Sequence, residues 1–135
     1  MLSAKDKYAI SAMVDIAMNY SKNEYVTTKE ISSRCNLSIK YLEQIIARLV
    51  KNNLLISFRG SNGGYGLVKR PEEYTVLEII EAISGRIVVN SNEPSNYIKL
   101  MDGYVNAVNN YFSNIKLSDL VLEYENQINA GFYYI

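Results

Sequence analysis

At 135 residues, 48% of them apolar, the chain has the size of one globular domain, or of one small domain with an added oligomerisation element, rather than of two independent enzymes. One cysteine and no histidine exclude an internal disulfide and leave no set of soft ligands for zinc or an iron–sulfur cluster, so no cofactor is expected. No basic-then-apolar leader opens the chain and no apolar run approaches the ~20 residues of a membrane span, which predicts a soluble, cytoplasmic protein with no membrane partner.

The formal net charge of +0 conceals a split. Residues 1–70 hold eleven Lys and Arg against five Asp and Glu, whereas residues 71–135 hold three against nine. Such an asymmetry is expected when one half faces phosphates and the other faces protein or solvent.

In chain order, residues 4–20 repeat apolar side chains at helical spacing, with Tyr8, Ala12, Met13, Ile16 and Ala17 on one stripe, which predicts a core-facing first helix. Thr27 or Thr28, followed by Glu30, caps a short helix running to Cys35, and Asn36 ends it. Ser38 caps a third helix whose apolar face is Ile39, Leu42, Ile45, Ile46, Leu49 and Val50. Lys40, Tyr41, Gln44, Arg48 and Lys51 lie largely on its other side. The short turn at Asn36 and Leu37 makes the two helices cross steeply and projects the second from the surface.

Leu54, Leu55, Ile56 and Phe58 read as one strand and Tyr65, Leu67 and Val68 as another, joined by a glycine-rich loop that carries Arg59, Ser61 and Asn62. A hairpin with an arginine and small polar residues at its tip can lie along a nucleic-acid backbone while the helix before it enters the major groove. Pro71 marks the exit, Tyr74–Ile83 forms a fourth helix capped by Thr75, and Gly85 stops it. Residues 86–96 read as a loop or linker. Tyr97, Leu100, Met101, Tyr104, Val105, Val108, Tyr111 and Phe112 then follow helical spacing over about four turns. Leu117–Tyr124 adds a short sixth helix, and a tail from Asn126 ends in GFYYI.

The sequences KYAISAMVDIA, LSIKYLEQIIARLVKNNLL, RGSNGGYGL and TVLEIIEAISG, in that order and over most of the chain, resemble the Rrf2 family of bacterial winged-helix regulators. The resemblance implies a mainly α fold with a small β wing. Residues 1–85 would form the winged helix-turn-helix, 97–127 the dimerisation helices and 128–135 a C-terminal tail. It further implies a homodimer that places two recognition helices on a pseudo-palindromic operator in double-stranded DNA. Tyr97, Leu100, Met101, Tyr104, Val108, Tyr111 and Phe112 would face the second copy.

The positions matching the family's DNA-contacting motif are Ser38, Lys40, Tyr41, Glu43 and Gln44 in the recognition helix and Arg59, Ser61, Asn62 and Gly63 in the wing. By their chemistry Gln44 pairs with a base edge, Glu43 accepts from a cytosine amino group or repels wrong bases, and Arg59 enters the minor groove or binds phosphate. Lys40, Arg48 and Lys51 supply salt-dependent phosphate attraction.

Cluster-bearing members of the family carry cysteines in the loop after the fourth helix, where this chain has IVVNSNEPSNY. That departure points to the cluster-free branch that represses cysteine metabolism, and within it the tail residues Tyr133, Tyr134 and Ile135 imply binding to O-acetylserine thiol-lyase, the cysteine synthase. A free C-terminal carboxylate with an apolar last side chain suits recognition by backbone donors and an apolar slot. The alternatives are a family member serving redox or stress sensing, and a winged-helix module that binds protein instead of DNA. Cys35 could act as a redox thiol, but no resolving cysteine exists, and a small apolar role is the plainer reading. Tyr8, Tyr104 and Tyr111 read as core or interface residues, and Tyr41 as exposed on the reading helix. An enzyme is disfavoured: no histidine or cysteine–base pair is present, and SNGGYG lacks the lysine and following helix of a phosphate-binding loop.

Overall fold

The computed structural model describes residues 2–87 and 95–132. Among these residues six α-helices surround one apolar core, and a single antiparallel hairpin projects from it. Helix α1 spans Ala4–Met18 and stops earlier than the apolar spacing predicts, because the chain tightens into a 3₁₀ turn at Tyr20–Lys22. Its start is fixed by a reciprocal cap: the Asp6 amide donates to Ser3 Oγ at 3.2 Å, and the Ser3 amide donates to the Asp6 carboxylate at 3.0 Å. Ser84 Oγ donates to the other Asp6 oxygen at 2.6 Å, so this buried carboxylate also ties α1 to the end of α4.

Helix α2 covers Thr28–Cys35, with Thr27 as its cap and Glu30 closing the capping box as the sequence predicts. These hydrogen bonds from Thr27, chiefly its backbone amide, hold the Glu30 carboxyl below its ordinary value. Asn36 ends the helix in the left-handed region at φ 55°. Helix α3, Ile39–Lys51, buries Leu42, Ile45, Ile46 and Leu49 against α1 and α4. Each such side chain contributes about 1.5–3 kcal/mol of transfer free energy. Ile39, assigned to this face from its spacing, is exposed, since it lies in the first turn before the stripe reaches the core.

Strands β1, Leu55–Phe58, and β2, Gly64–Leu67, pair in the register Leu55↔Leu67 through Phe58↔Gly64. Leu54 and Val68, expected in the strands, lie just outside them. The hairpin is not free-standing. Val26 and Tyr65 exchange backbone hydrogen bonds of 2.9 and 2.8 Å, which fastens β2 to the segment before α2. Gly64 is required there: its φ is +147°, and a Cβ would stand 2.7 Å from the Val26 backbone.

Helix α4, Val76–Ser84, starts at the Thr75 cap and stops at Gly85, φ +79°. Tyr74, expected to open this helix, precedes it and is fully buried. Its hydroxyl donates to the Leu54 carbonyl at 2.8 Å and accepts from the Val68 amide at 2.9 Å, so it clamps the two strands together at the base of the wing. Helix α5 runs over Ser95–Ser113, two residues earlier than expected. Of the expected linker, residues 88–94 lie outside the described residues. Helix α6 spans Leu117–Phe132. The reading of a tail from residue 126 or 128 is therefore corrected: Asn126–Ala130 contains no helix breaker, and the helix continues through it. Leu117 is fully buried in the core and α6 packs on α1, while Val76 and Leu117 bond to Ile115 and Tyr74 across the start of α4.

Candidate nucleic-acid interface

The apolar stripe of α3 faces inward, so the residues between its members are turned out. Lys40, Glu43, Gln44, Arg48 and Lys51 are all exposed, and their spacing of three and four residues keeps them on one face of a helix about 20 Å long. Ser38 is exposed at the N-cap position but its hydroxyl makes no capping bond, contrary to the sequence expectation. That leaves the hydroxyl and the first-turn amides of α3 free to meet a ligand.

Tyr41 corrects a second expectation. It is half-buried, its ring packed edge-on against Tyr8 with centroids 4.8 Å apart, because position 41 flanks the inward stripe at Leu42 and Ile45. It braces α3 on α1 and keeps only part of its ring on the reading face.

At the wing tip Arg59, Ser61 and Asn62 are exposed and Gly63 is half-buried, its amide donating to the Gly60 carbonyl at 3.0 Å. Ser61, Asn62 and Gly63 share a surface depression with Asn23, Thr27 and Glu30, which brings the tip beside the first turn of α2. This juxtaposition is not readable from the sequence, since it depends on the Val26–Tyr65 pairing. Reading helix and wing stay adjacent because β1 begins only three residues, Asn52–Leu54, after α3 ends.

Arg34, Lys69, Arg70 and Arg86 all pair with carboxylates. Among the described residues, Lys40, Arg48, Lys51 and Arg59 make no ion pair. An unpaired cation on an exposed surface is free to displace the counterions of a polyanion.

Beyond the wing, α5 leaves large apolar side chains in solvent. Tyr97, Leu100, Tyr104 and Tyr111 are exposed, Leu100 by 68% and Tyr111 by 66%, while Met101, Val108 and Phe112 are half-buried. A stripe of this kind on a helix marks a surface for another chain. Tyr133, Tyr134 and Ile135, expected to form a partner-binding tail, lie outside the described residues.

Residues 2–123 match the family model Rrf2, described as an iron-dependent transcriptional regulator. The solved structure of T. potens IscR superposes with a TM-score of 0.83 at 31% identity, covering 100% of this chain and 96% of that one. CymR, the global cysteine regulator of B. subtilis, superposes with a TM-score of 0.80 at 28% identity, covering 91% of this chain and 97% of that one. The HTH-type transcriptional regulator IscR of Cronobacter sakazakii is 44% identical over 82 residues, 61% of this chain, and the chain spans only about 50% of that relative's length. With a reading helix, a fastened wing and a family match over nearly its whole length, the chain belongs to the Rrf2 family of winged-helix transcription regulators and is not an enzyme of another class.

Proposed function

We propose that this regulator binds a pseudo-palindromic operator as a homodimer and represses genes of cysteine or sulfur metabolism without an iron–sulfur cluster. The observation that carries DNA binding is the α3 face, where Lys40, Arg48 and Lys51 stand unpaired around Gln44 and Glu43. In this reading Gln44 and Glu43 meet base edges in the major groove, and Lys40, Arg48 and Lys51 meet phosphates. Arg59, with Ser61, Asn62 and the Gly63 backbone, lies along the neighbouring minor groove or its phosphates. The second copy docks on the Tyr97–Phe112 face of α5 and sets the spacing between half-sites.

The donor set speaks against the cluster. A cluster needs several thiolate or imidazole ligands, and this chain offers Cys35 alone, half-buried at the end of α2, with no histidine. The assignment to cysteine metabolism is supported by the likeness to B. subtilis CymR over nearly the whole of both chains. Selection of fragmented genomic DNA by the purified protein near physiological salt tests both parts. Enrichment upstream of cysteine, methionine and sulfur-uptake genes supports the proposal; enrichment elsewhere keeps the regulator and removes the pathway; no enrichment removes DNA binding.

A further inference from the structure

Away from the reading face, α1, the end of α2 and α6 enclose a groove of about 400 Å³, within the range of small-molecule sites. Its apolar wall is made by Ile10 and Val14 of α1 and Leu120 of α6. Its charged lining is Asp15, Arg34 and Glu123. Arg34 is already committed: Nε and Nη2 donate to the two Asp15 oxygens at 2.9 Å, and Nη1 lies 3.5 Å from Glu30. Its charge is thereby balanced by two carboxylates, which weakens its pull on an incoming anion.

Glu123 is the opposite case. Among the described residues it makes no ion pair, and its side chain accepts one long hydrogen bond, from the Gln127 amide at 3.5 Å. Tyr124 presents its ring on the same stretch of α6. Cys35 adds no negative charge, because burial pushes its thiol up and keeps it protonated. The lining thus has one free carboxylate, one aromatic ring and an apolar wall.

We infer that this groove binds a small organic cation, an amine or quaternary ammonium on an aromatic or branched apolar body, with its charge at Glu123 and Tyr124 and its body on Ile10, Val14 and Leu120. Carboxylate pairing and cation–π attraction both select the charge, and the wall selects the body. Because the groove joins α1 of the DNA-reading unit to α6, occupancy changes how α6 seats on α1. That consequence rests on the regulator reading; the binding does not.

The test uses the full chain, ¹⁵N-labelled and without DNA, titrated with phenethylamine, with neutral 2-phenylethanol and with anionic phenylacetate. Saturable shifts at the amides of Ser11, Val14, Cys35 and Tyr124 are expected, with phenethylamine effective at about fivefold lower concentration than the alcohol and phenylacetate the weakest. Glu123→Gln, a near-isosteric change on an exposed position, is expected to bring amine and alcohol together. Equal response to all three probes, shifts confined to another surface, no shifts, or an unchanged amine preference in Glu123→Gln overturns the site. None of these outcomes depends on whether the protein binds an operator.

Discussion

Arg34 closes a two-point fork on Asp15, Nε on one carboxylate oxygen and Nη2 on the other, both at 2.9 Å, across 19 residues of sequence. The two ends of this bond are unequal. The Asp15 side chain is only 10% exposed, whereas the Arg34 side chain is 45% exposed. Removing the arginine strands a buried carboxylate; removing the aspartate leaves a cation that water can reach. Arg34→Ala is therefore expected to cost about 2–3 kcal/mol and Asp15→Ala about 1 kcal/mol, after discounting for solvent screening. Urea unfolding of the two variants checks the order, and an equal or larger loss in Asp15→Ala would overturn it.

The unpaired cations of the reading face make a different forecast. On a DNA fragment recovered by genomic selection, Lys40→Ala, Arg48→Ala and Lys51→Ala are each expected to lower the slope of log affinity against log salt by about 1. Gln44→Ala is expected to cost roughly 1–3 kcal/mol on the preferred sequence with little change in slope. Fluorescence anisotropy at several salt concentrations separates the two classes; a Gln44→Ala variant that changes only the slope contradicts base readout.

Gly64 sets the attachment of the wing. With φ at +147° and a Cβ placed 2.7 Å from the Val26 backbone, Gly64→Ala must break the Val26–Tyr65 pairing or strain it. A loss of about 2 kcal/mol or more is expected, with rapid hydrogen exchange at the amides of Val26 and Tyr65. Gly60→Ala, also at positive φ but with open space around its Cβ, is the milder change. Protected amides in Gly64→Ala would count against the clamp.

Tyr74 links stability to alkaline pH. Burial raises its phenol above the ordinary 10.0, outweighing the opposing hydrogen bonds from the Val68 and Lys69 backbone. A group whose pKa is raised on folding contributes stability that is complete below its unfolded pKa and is lost as pH climbs through the folded one. Wild type should therefore lose stability progressively above pH 10. Tyr74→Phe should be weaker at neutral pH by about 1–3 kcal/mol, since it strands the Leu54 carbonyl and Val68 amide, yet show a flatter decline above pH 10. Thermal melts from pH 7 to 11 read both effects, and parallel curves for the two proteins would refute the linkage.

The exposed α5 stripe predicts assembly. Tyr104→Asp puts a charge in the middle of the Tyr97–Tyr111 series, and sedimentation should show a shift from dimer to monomer with the helical circular dichroism of each chain largely kept. A dimer unaffected by Tyr104→Asp would place the contact on another surface.

Local chemistry made much of this readable in advance. Thr27 with Glu30, Thr75 and Gly85 mark helix ends through bonds that span only three or four residues, and the sequence carries both partners of each. The stripe Leu42–Leu49 predicts its own burial, and so turns Lys40, Gln44 and Arg48 outward by elimination. What stayed hidden depends on distant neighbours. Tyr41 is drawn inward by Tyr8 and Tyr74 by Leu54 and Val68, while the exposed Arg34 is held by Asp15, and periodicity marks none of these pairings. The length of α6 is hidden for another reason: Asn126, Asn129 and Gly131 are weak helix formers, so the helix runs on through residues whose own propensity does not announce it.

The Val26–Tyr65 bridge has a mechanical corollary. Because β2 is stitched to the approach of α2, and Tyr74 pins the base of the hairpin at Leu54 and Val68, helix and wing move as one jaw. Two such jaws joined through α5 would form a calliper whose setting is the gap between them. A signal acting on this protein then has little purchase on the shape of either jaw, and its natural lever is the packing of α6 on α1.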